Sequence, residues 1–320
     1  MPLIARSSYT PPLLLANGHL QTIVPTLMRK VPGVDYTRER IATPDGDFLD
    51  LDWLRSGARR LAVLSHGLEG SSTRHYMLGM ARAFSRAGWD VVAWNFRGCS
   101  GEPNRTVVFY HSGATHDLHT VVEHAAARGD YAEVALIGFS MGGNLTLKYL
   151  GEGLFPMDSR IKKAVVFSVP CDLAASARKM ASRANSIYMT RFLRMLHAKI
   201  RAKMESWPDQ LDDAEYHRIK TFEQFDDRYT APLHGFENAA DYYRQASCKQ
   251  FLGRVTIPSL LVNARNDPFL AASCYPVEAA RRSPWLHLEM PQSGGHVGFL
   301  DFNSDGLYWS ERRALEFVGS

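Results

Sequence analysis

The sequence is poor in cysteine. Its 320 residues hold only 4: Cys99, Cys171, Cys248 and Cys274, widely spaced and with no C-x-x-C pair. That excludes a disulfide framework and a cysteine-built zinc site, and it fits free thiols in a reducing compartment. Long apolar runs are also missing. None approaches the roughly 18 to 20 residues that span a bilayer. The opening stretch MPLIARSSYTPPLLLANGHL lacks the basic-then-apolar order of a signal peptide, so a cytoplasmic location is expected. Charge of one sign is in small excess: 37 lysines and arginines against 33 acids give a net +4. Nucleic acid would demand a strongly basic face, and no such partner is expected. Repeats and low-complexity tracts are absent.

What is present is an alternation of short apolar runs with amphipathic stretches. LAVLSHG (61–67), DVVAWNFRG (90–98), EVALIGF (133–139), KKAVVFSVP (162–170), IPSLLVNARND (257–267) and LHLEM (286–290) read as strands. Several are apolar on both faces, as in a parallel sheet covered by helices on both sides. THDLHTVVEHAAARG (115–129) has helical spacing at Leu118, Val121, Val122 and Ala125 and ends on a glycine. The alternation points to an α/β fold. Residues 171–250 break the rhythm, with helix formers, methionines and aromatics but no convincing strand. They are expected to form a helical cap inserted into a core domain made of residues 1–170 and 251–320. Such a cap would lie over the C-terminal edge of the sheet, where open α/β sheets place their ligands.

Between the strand at 133–139 and the helix after it stands Gly138-Phe139-Ser140-Met141-Gly142. This is the G-x-S-x-G nucleophile elbow. The sharp turn needs small residues two positions either side of the serine, and the following helix aims free N–H groups at it. A plain glycine-rich turn is the blander alternative. A serine hydroxyl needs a base, and the hydrolase order is serine, acid, histidine. Asp267 follows a strand, and His296 sits in the glycine-rich loop SGGHVGF. Singly, Asp267 could merely cap a turn and His296 could merely stack on Phe299; in this order the three make a triad. Asp301 and Asp305 follow the histidine and are weaker candidates. The backbone N–H groups of Leu68, in SHGLEGSS, and of Met141 are the expected oxyanion hole, with His66 orienting the loop. No metal or cofactor is required.

Beyond the elbow, eight stretches resemble, in order, the blocks of the YheT-like α/β hydrolases. They are NGHLQT (17–22), SHGLEGSS (65–72), NFRGCSGEPNR (95–105), YHSGATHDL (110–118), GFSMGGN (138–144), FDDRYTAPLHGFENAADYY (225–243), NARNDPF (263–269) and GGHVGF (294–299). The eukaryotic relatives of that family are the abhydrolase-domain proteins 1, 2 and 3. The resemblance implies the α/β-hydrolase fold, with a mostly parallel central sheet, and a carboxylic-ester hydrolase carrying Ser140, Asp267 and His296. Some eukaryotic relatives look like lipases or phospholipases. The chain has no counterpart of their N-terminal anchor, which favours a soluble bacterial branch.

The expected partner is a small-molecule acyl ester or lipid-like substrate. The same triad would serve a thioesterase, acyltransferase or amidase, and a non-catalytic binding module on a hydrolase scaffold is the alternative of another class. Dehalogenases and epoxide hydrolases would carry an aspartate at position 140. Met180, Tyr188, Met189, Phe192 and Met195 either line an apolar acyl pocket that adapts its shape or are ordinary core. The run from Leu173 to Lys203 holds lysines and arginines and no acid. It is read as a cap helix whose apolar stripe packs on the core, the less favoured alternative being a basic amphipathic helix that touches anionic lipid or an acyl chain; membrane contact is possible but not predicted. His116 and His119 read as a solvated helix face rather than metal ligands, and Arg97 and Arg105 as structural. No mechanism for NGHLQT follows from its residues alone; His19 either shapes the pocket or anchors the N-terminal arm.

Overall fold

The apolar runs pair side by side, and mostly in parallel. The computed structural model describes residues 3–320. Nine strands form one sheet: β1 (Leu3–Ile4), β2 (Thr37–Ala42), β3 (Phe48–Leu54), β4 (Arg60–Ser65), β5 (Asp90–Asn95), β6 (Glu133–Phe139), β7 (Ile161–Phe167), β8 (Ser259–Val262) and β9 (Leu286–Glu289). Their order is β1-β9-β8-β7-β6-β4-β5-β3-β2. The pairs β2·β3 and β3·β5 are antiparallel and the others parallel.

The period of two along β6 explains why its run is apolar throughout. Val134 and Leu136 join the cluster under α3 (Thr115–Ala127) and α4 (Met141–Glu152), with Leu118, Val122 and Leu145. Ala135, Ile137 and Phe139 join the cluster on the other face, with Met80 and Phe84 of α2 (His75–Arg86) and Phe317 of α11 (Trp309–Gly319). Each fully buried valine, leucine or isoleucine contributes about 1.5–3 kcal/mol, and neither face of this strand could be polar.

β2 and β3 are not evident from hydropathy, for a physical reason. On β3, Asp50 and Asp52 alternate with apolar residues and so mimic a solvent-facing row. Both carboxylates are in fact buried. Arg40 and Arg38 stand directly opposite them on β2 and bind them in a two-pronged fashion at 2.8–2.9 Å. Cross-strand ion pairs replace water on that face.

Residues between β7 and β8 hold α5 (Leu173–Met180), α6 (Ser186–Met204), α7 (Phe222–Phe225), α8 (Ala231–His234) and α9 (Ala239–Ala246), and no strand. Met189, Leu193, Leu196 and Ile200 form the buried stripe of α6, packed with Phe225 and Tyr229 and with Phe109 and Phe269 from outside the segment. Two of its cations serve as tethers: Lys199 lies 2.9 Å from Glu69, and the Lys203 ammonium sits among the carbonyls of Asn104, Thr106 and Val108. Burial pushes the Lys203 amine down to about 8. The α10 helix (Val277–Arg282) completes the set. Because β4, β6, β7 and β8 run in one direction, the loops after them meet at one edge, and the helical segment faces that edge.

Candidate active site

β6 ends at Phe139 and α4 begins at Met141, leaving one residue to make the turn. Ser140 makes it in a conformation of φ 52° and ψ −116°, a strained region that persists only where surroundings enforce it. They do so here. The Ser140 N–H donates to the Phe167 carbonyl at 2.8 Å, and its own carbonyl accepts from Asn144 N–H at 3.0 Å. A Cβ on Gly138 would meet the backbone of Gly142 and Gly143, and one on Gly142 would meet the carbonyls of Ser65 and His66. The two glycines are therefore steric requirements of the crossing between α4, β6 and the loop after β4.

Three loops converge on this serine. His296 Nε2 lies 2.9 Å from Ser140 Oγ, and His296 Nδ1 lies 2.9 Å from Asp267 Oδ2. The Asp267 side chain is fully buried, and its Oδ1 also accepts the Phe269 N–H at 2.9 Å. An ionised carboxylate only accepts. The proton on the ring is thereby placed on Nδ1, and Nε2 is left to accept from the serine hydroxyl. The imidazole packs on Phe269 at 4.2 Å between centroids, not on Phe299, which lies in the core against Phe167 and Trp309. Asp301 and Asp305 are engaged with Arg312 instead.

The segment that had no evident purpose in the sequence, NGHLQT, is the buttress of these loops. Asn17 caps α1 (Gly18–Met28), its side chain accepting from His19 and Leu20 N–H. Thr22 Oγ1 accepts the His296 N–H at 2.9 Å. Gln21 accepts the Leu300 N–H at 3.0 Å. A Cβ on Gly18 would strike the Asn266 carbonyl, one residue before Asp267. His19 reaches the other way, to the Tyr188 hydroxyl of α6 at 3.1 Å. The signal was visible as a polar hexapeptide around a glycine, but its partners lie more than 160 residues away in the chain.

The loop after β4 turns at Gly67–Gly70. Gly67 N–H donates to the Tyr76 hydroxyl at 3.1 Å and Glu69 N–H to the Tyr110 hydroxyl at 2.9 Å. Between them, the Leu68 N–H has no acceptor among the described residues. Met141 N–H, in the first turn of α4, has no intrahelical acceptor either. Behind the loop, His66 is fully buried, with Nδ1 donating to the Gly67 carbonyl at 2.7 Å and Nε2 accepting from Phe96 N–H at 3.1 Å. Burial pushes its pKa down to about 3, so it stays neutral and holds the loop.

Ser140, His296, Leu68 and Met141 open on a cavity of about 280 Å³. Its far wall is apolar: Tyr188, Phe192 and Met195 lie on one face of α6, and Met180 of α5 joins them. Met189 does not, contrary to the pocket reading of its composition. It falls on the neighbouring α6 face, in the buried stripe with Leu193, Leu196 and Ile200. His119 stacks on Phe155 at 4.1 Å, and no group of three metal-ligating side chains occurs among the described residues.

One wall of the cavity is polar. Asp226, in a π-helical turn at Asp226–Thr230, accepts from the Thr230 and Tyr243 hydroxyls, each at 2.6 Å. Asp226 lines the cavity, is largely but not wholly covered, and has no cation beside it. Burial lifts its pKa to about 7, against the lowering effect of the two hydroxyls. Between about pH 4 and 7 the folded chain thus holds a proton that the unfolded chain has released, and stability falls as pH rises through that window. Asp226→Asn is expected to flatten this dependence. In urea unfolding at pH 5 and pH 8, the variant should gain stability relative to wild type at the higher pH; equal slopes for both proteins would refute it.

Residues 63–302 match the family described as alpha/beta hydrolase fold. YheT of Escherichia coli (strain K12), provisionally named an esterase, is 36% identical over 293 residues, covering 89% of this chain and 85% of that protein. Mouse phospholipase ABHD3 is 30% identical over 308 residues, covering 93% of this chain and 74% of that one. Among solved structures, the Pyrococcus furiosus esterase Pf2001 superposes with a TM-score of 0.62 at 17% identity, over 90% of this chain and 91% of that one. At that identity the likeness concerns the fold. Among the described residues, no helix is long and apolar enough to cross a membrane.

Proposed function

The chain belongs to the α/β hydrolases and to their YheT-like branch, and from that premise we propose that it is a serine carboxylic-ester hydrolase working through Ser140, His296 and Asp267. The observation that carries the proposal is the unbroken hydrogen-bonded chain from Ser140 through His296 to Asp267, at the opening of an apolar cavity. The esterase and phospholipase names of the two relatives favour an ester as the bond cleaved.

In this mechanism His296 Nε2 takes the Ser140 proton as Oγ attacks the ester carbonyl. Asp267 fixes the imidazole tautomer and stabilises the imidazolium that forms. The Leu68 and Met141 N–H groups receive the oxyanion, each such donor being worth about 3–4 kcal/mol. His296 then protonates the departing alkoxide, leaving an acyl-serine. Water, deprotonated by the same imidazole, attacks the acyl carbon; as the C–Oγ bond breaks the imidazolium returns its proton to Ser140, and the acid is released. The acyl chain lies among Tyr188, Phe192, Met195 and Met180, and residues 171–250 act as the cap that dries the site over a core of residues 1–170 and 251–320.

Wild-type protein is expected to hydrolyse p-nitrophenyl esters, with an optimum at an intermediate or long acyl chain, and to be labelled at Ser140 by a fluorophosphonate. Absence of both would refute the hydrolase reading. Labelling without turnover on any chain length would refute the ester substrate while keeping the nucleophile.

A further inference from the structure

Eleven large apolar side chains stand exposed among the described residues, and seven of them lie on or beside one helix. Leu20, Ile23, Leu27 and Met28 are on the outer side of α1, whose inner side buries Gly18, Gln21 and Pro25. Leu13 and Leu14, in the turn just before it, are 96% and 85% exposed. Ile187 is the next-door residue of Tyr188, whose ring stacks on His19 of α1 at 5.7 Å. Single exposed leucines are ordinary, but a contiguous group is not. This group also surrounds an opening, because Ile23 and Leu27 line the cavity that holds Ser140.

The two chain segments that carry the patch hold charge of one sign, and the acids of the loop packed on α1, Asp301 and Asp305, are engaged with Arg312. No acid occurs between residues 3 and 34, while Arg6 and Lys30 do; Arg29 is turned inward onto Glu311. None occurs between Leu173 and Lys203 either. Arg183, Arg191 and Arg194 are exposed and make no ion pair among the described residues. Arg191 and Arg194 follow Ile187 at helical spacing, and Arg191 lines the cavity. Free cations beside exposed apolar chains are the chemistry of an anionic lipid surface. A second copy of the chain seated on the same face would set these arginines against one another.

We propose that α1 and the start of α6 form a docking rim that seats on anionic membrane with the cavity mouth turned to the lipid. Leucine and isoleucine side chains enter the acyl boundary, and the arginines meet the phosphates. The buried stripe of α6 takes no part; the exposed apolar surface belongs to α1, which also props His296 through Thr22. Docking would let a lipid-like molecule pass from the surface into the cavity without crossing water. The rim stands independently of the hydrolase reading, since binding needs no chemistry at Ser140.

The test is flotation with vesicles of phosphatidylcholine alone or in equal parts with phosphatidylglycerol. Wild type and Ser140→Ala are expected to float with the anionic vesicles, and less as salt is raised. The triple variant Leu13→Glu, Leu14→Glu, Ile187→Glu should lose binding by about tenfold or more. The pair Arg183→Glu, Arg194→Glu should do likewise, each replaced arginine costing about fivefold. None of these side chains lines the cavity, so hydrolysis of a short soluble ester should stay at the wild-type level and report intact folding. Wild type that floats with neither vesicle, or variants that float as it does, would overturn the proposal. So would a wild-type dimer in sedimentation that the triple variant dissociates, for the face would then belong to a second copy.

Discussion

Ser140→Ala is expected to lower kcat for ester hydrolysis on the order of 10⁴- to 10⁶-fold, with little change in thermal stability. The size follows from the geometry. Among the described residues only one hydroxyl lies within hydrogen-bond reach of His296 Nε2, and its removal leaves the base without a nucleophile to activate. Residual catalysis would come from the cavity and the two backbone donors at Leu68 and Met141. Stability should hold because the turn is fixed by backbone bonds to Phe167 and Asn144 and by the two glycines, none of which involves Oγ. Alanine at φ 52° is as strained as serine. The check is steady-state kinetics on the best p-nitrophenyl ester beside a melting curve. Activity within about tenfold of wild type, in a protein that melts normally, would mean that another residue performs the attack.

Much of this arrangement is legible in the sequence because its requirements are local. A strand, a turn with glycines flanking a serine, and a helix occupy a dozen consecutive residues, and the steric reasons for Gly138 and Gly142 act over that short span. Asp267 and His296 can be chosen because each sits just past a strand candidate and in the right order. What cannot be read are partnerships across long separations. NGHLQT props loops that lie some 250 to 280 residues away. Asp50 and Asp52 look like solvent positions until Arg38 and Arg40 are placed opposite them. Met189 and Tyr188 are neighbours in sequence, and a rotation of 100° about α6 sends one into the core and the other to the cavity. Hydropathy alone does not fix which face of an amphipathic helix meets a cavity rather than a core. Nor does composition distinguish the buried stripe of α6 from the exposed side of α1; both are leucine- and isoleucine-bearing helices near arginines.

The second large effect concerns the acid. Asp267→Asn is expected to reduce kcat by about 10⁴-fold with a much smaller change in KM. The amide is nearly isosteric, and its oxygen can still accept the Phe269 N–H that Oδ1 accepts now. Its NH₂ group, however, would then face His296 Nδ1, where the carboxylate presently accepts a proton. A donor cannot face a donor, so the ring proton moves to Nε2 and points at Ser140 Oγ. The base is lost without moving an atom of the scaffold, which is why binding should survive. The rival acid supplies the control: Asp301 is held by Arg312 on the α11 side, and Asp301→Asn should leave kcat within about twofold of wild type, as for surface charges remote from the reacting atoms. In the proposed mechanism serine, histidine and aspartate act as one unit, so Ser140→Ala combined with Asp267→Asn should be no slower than Ser140→Ala alone. Losses that multiply in the double variant would mean that Asp267 acts on the reaction by a route other than His296. A large loss in Asp301→Asn together with a harmless Asp267→Asn would transfer the role of the acid from the loop after β8 to the one after His296.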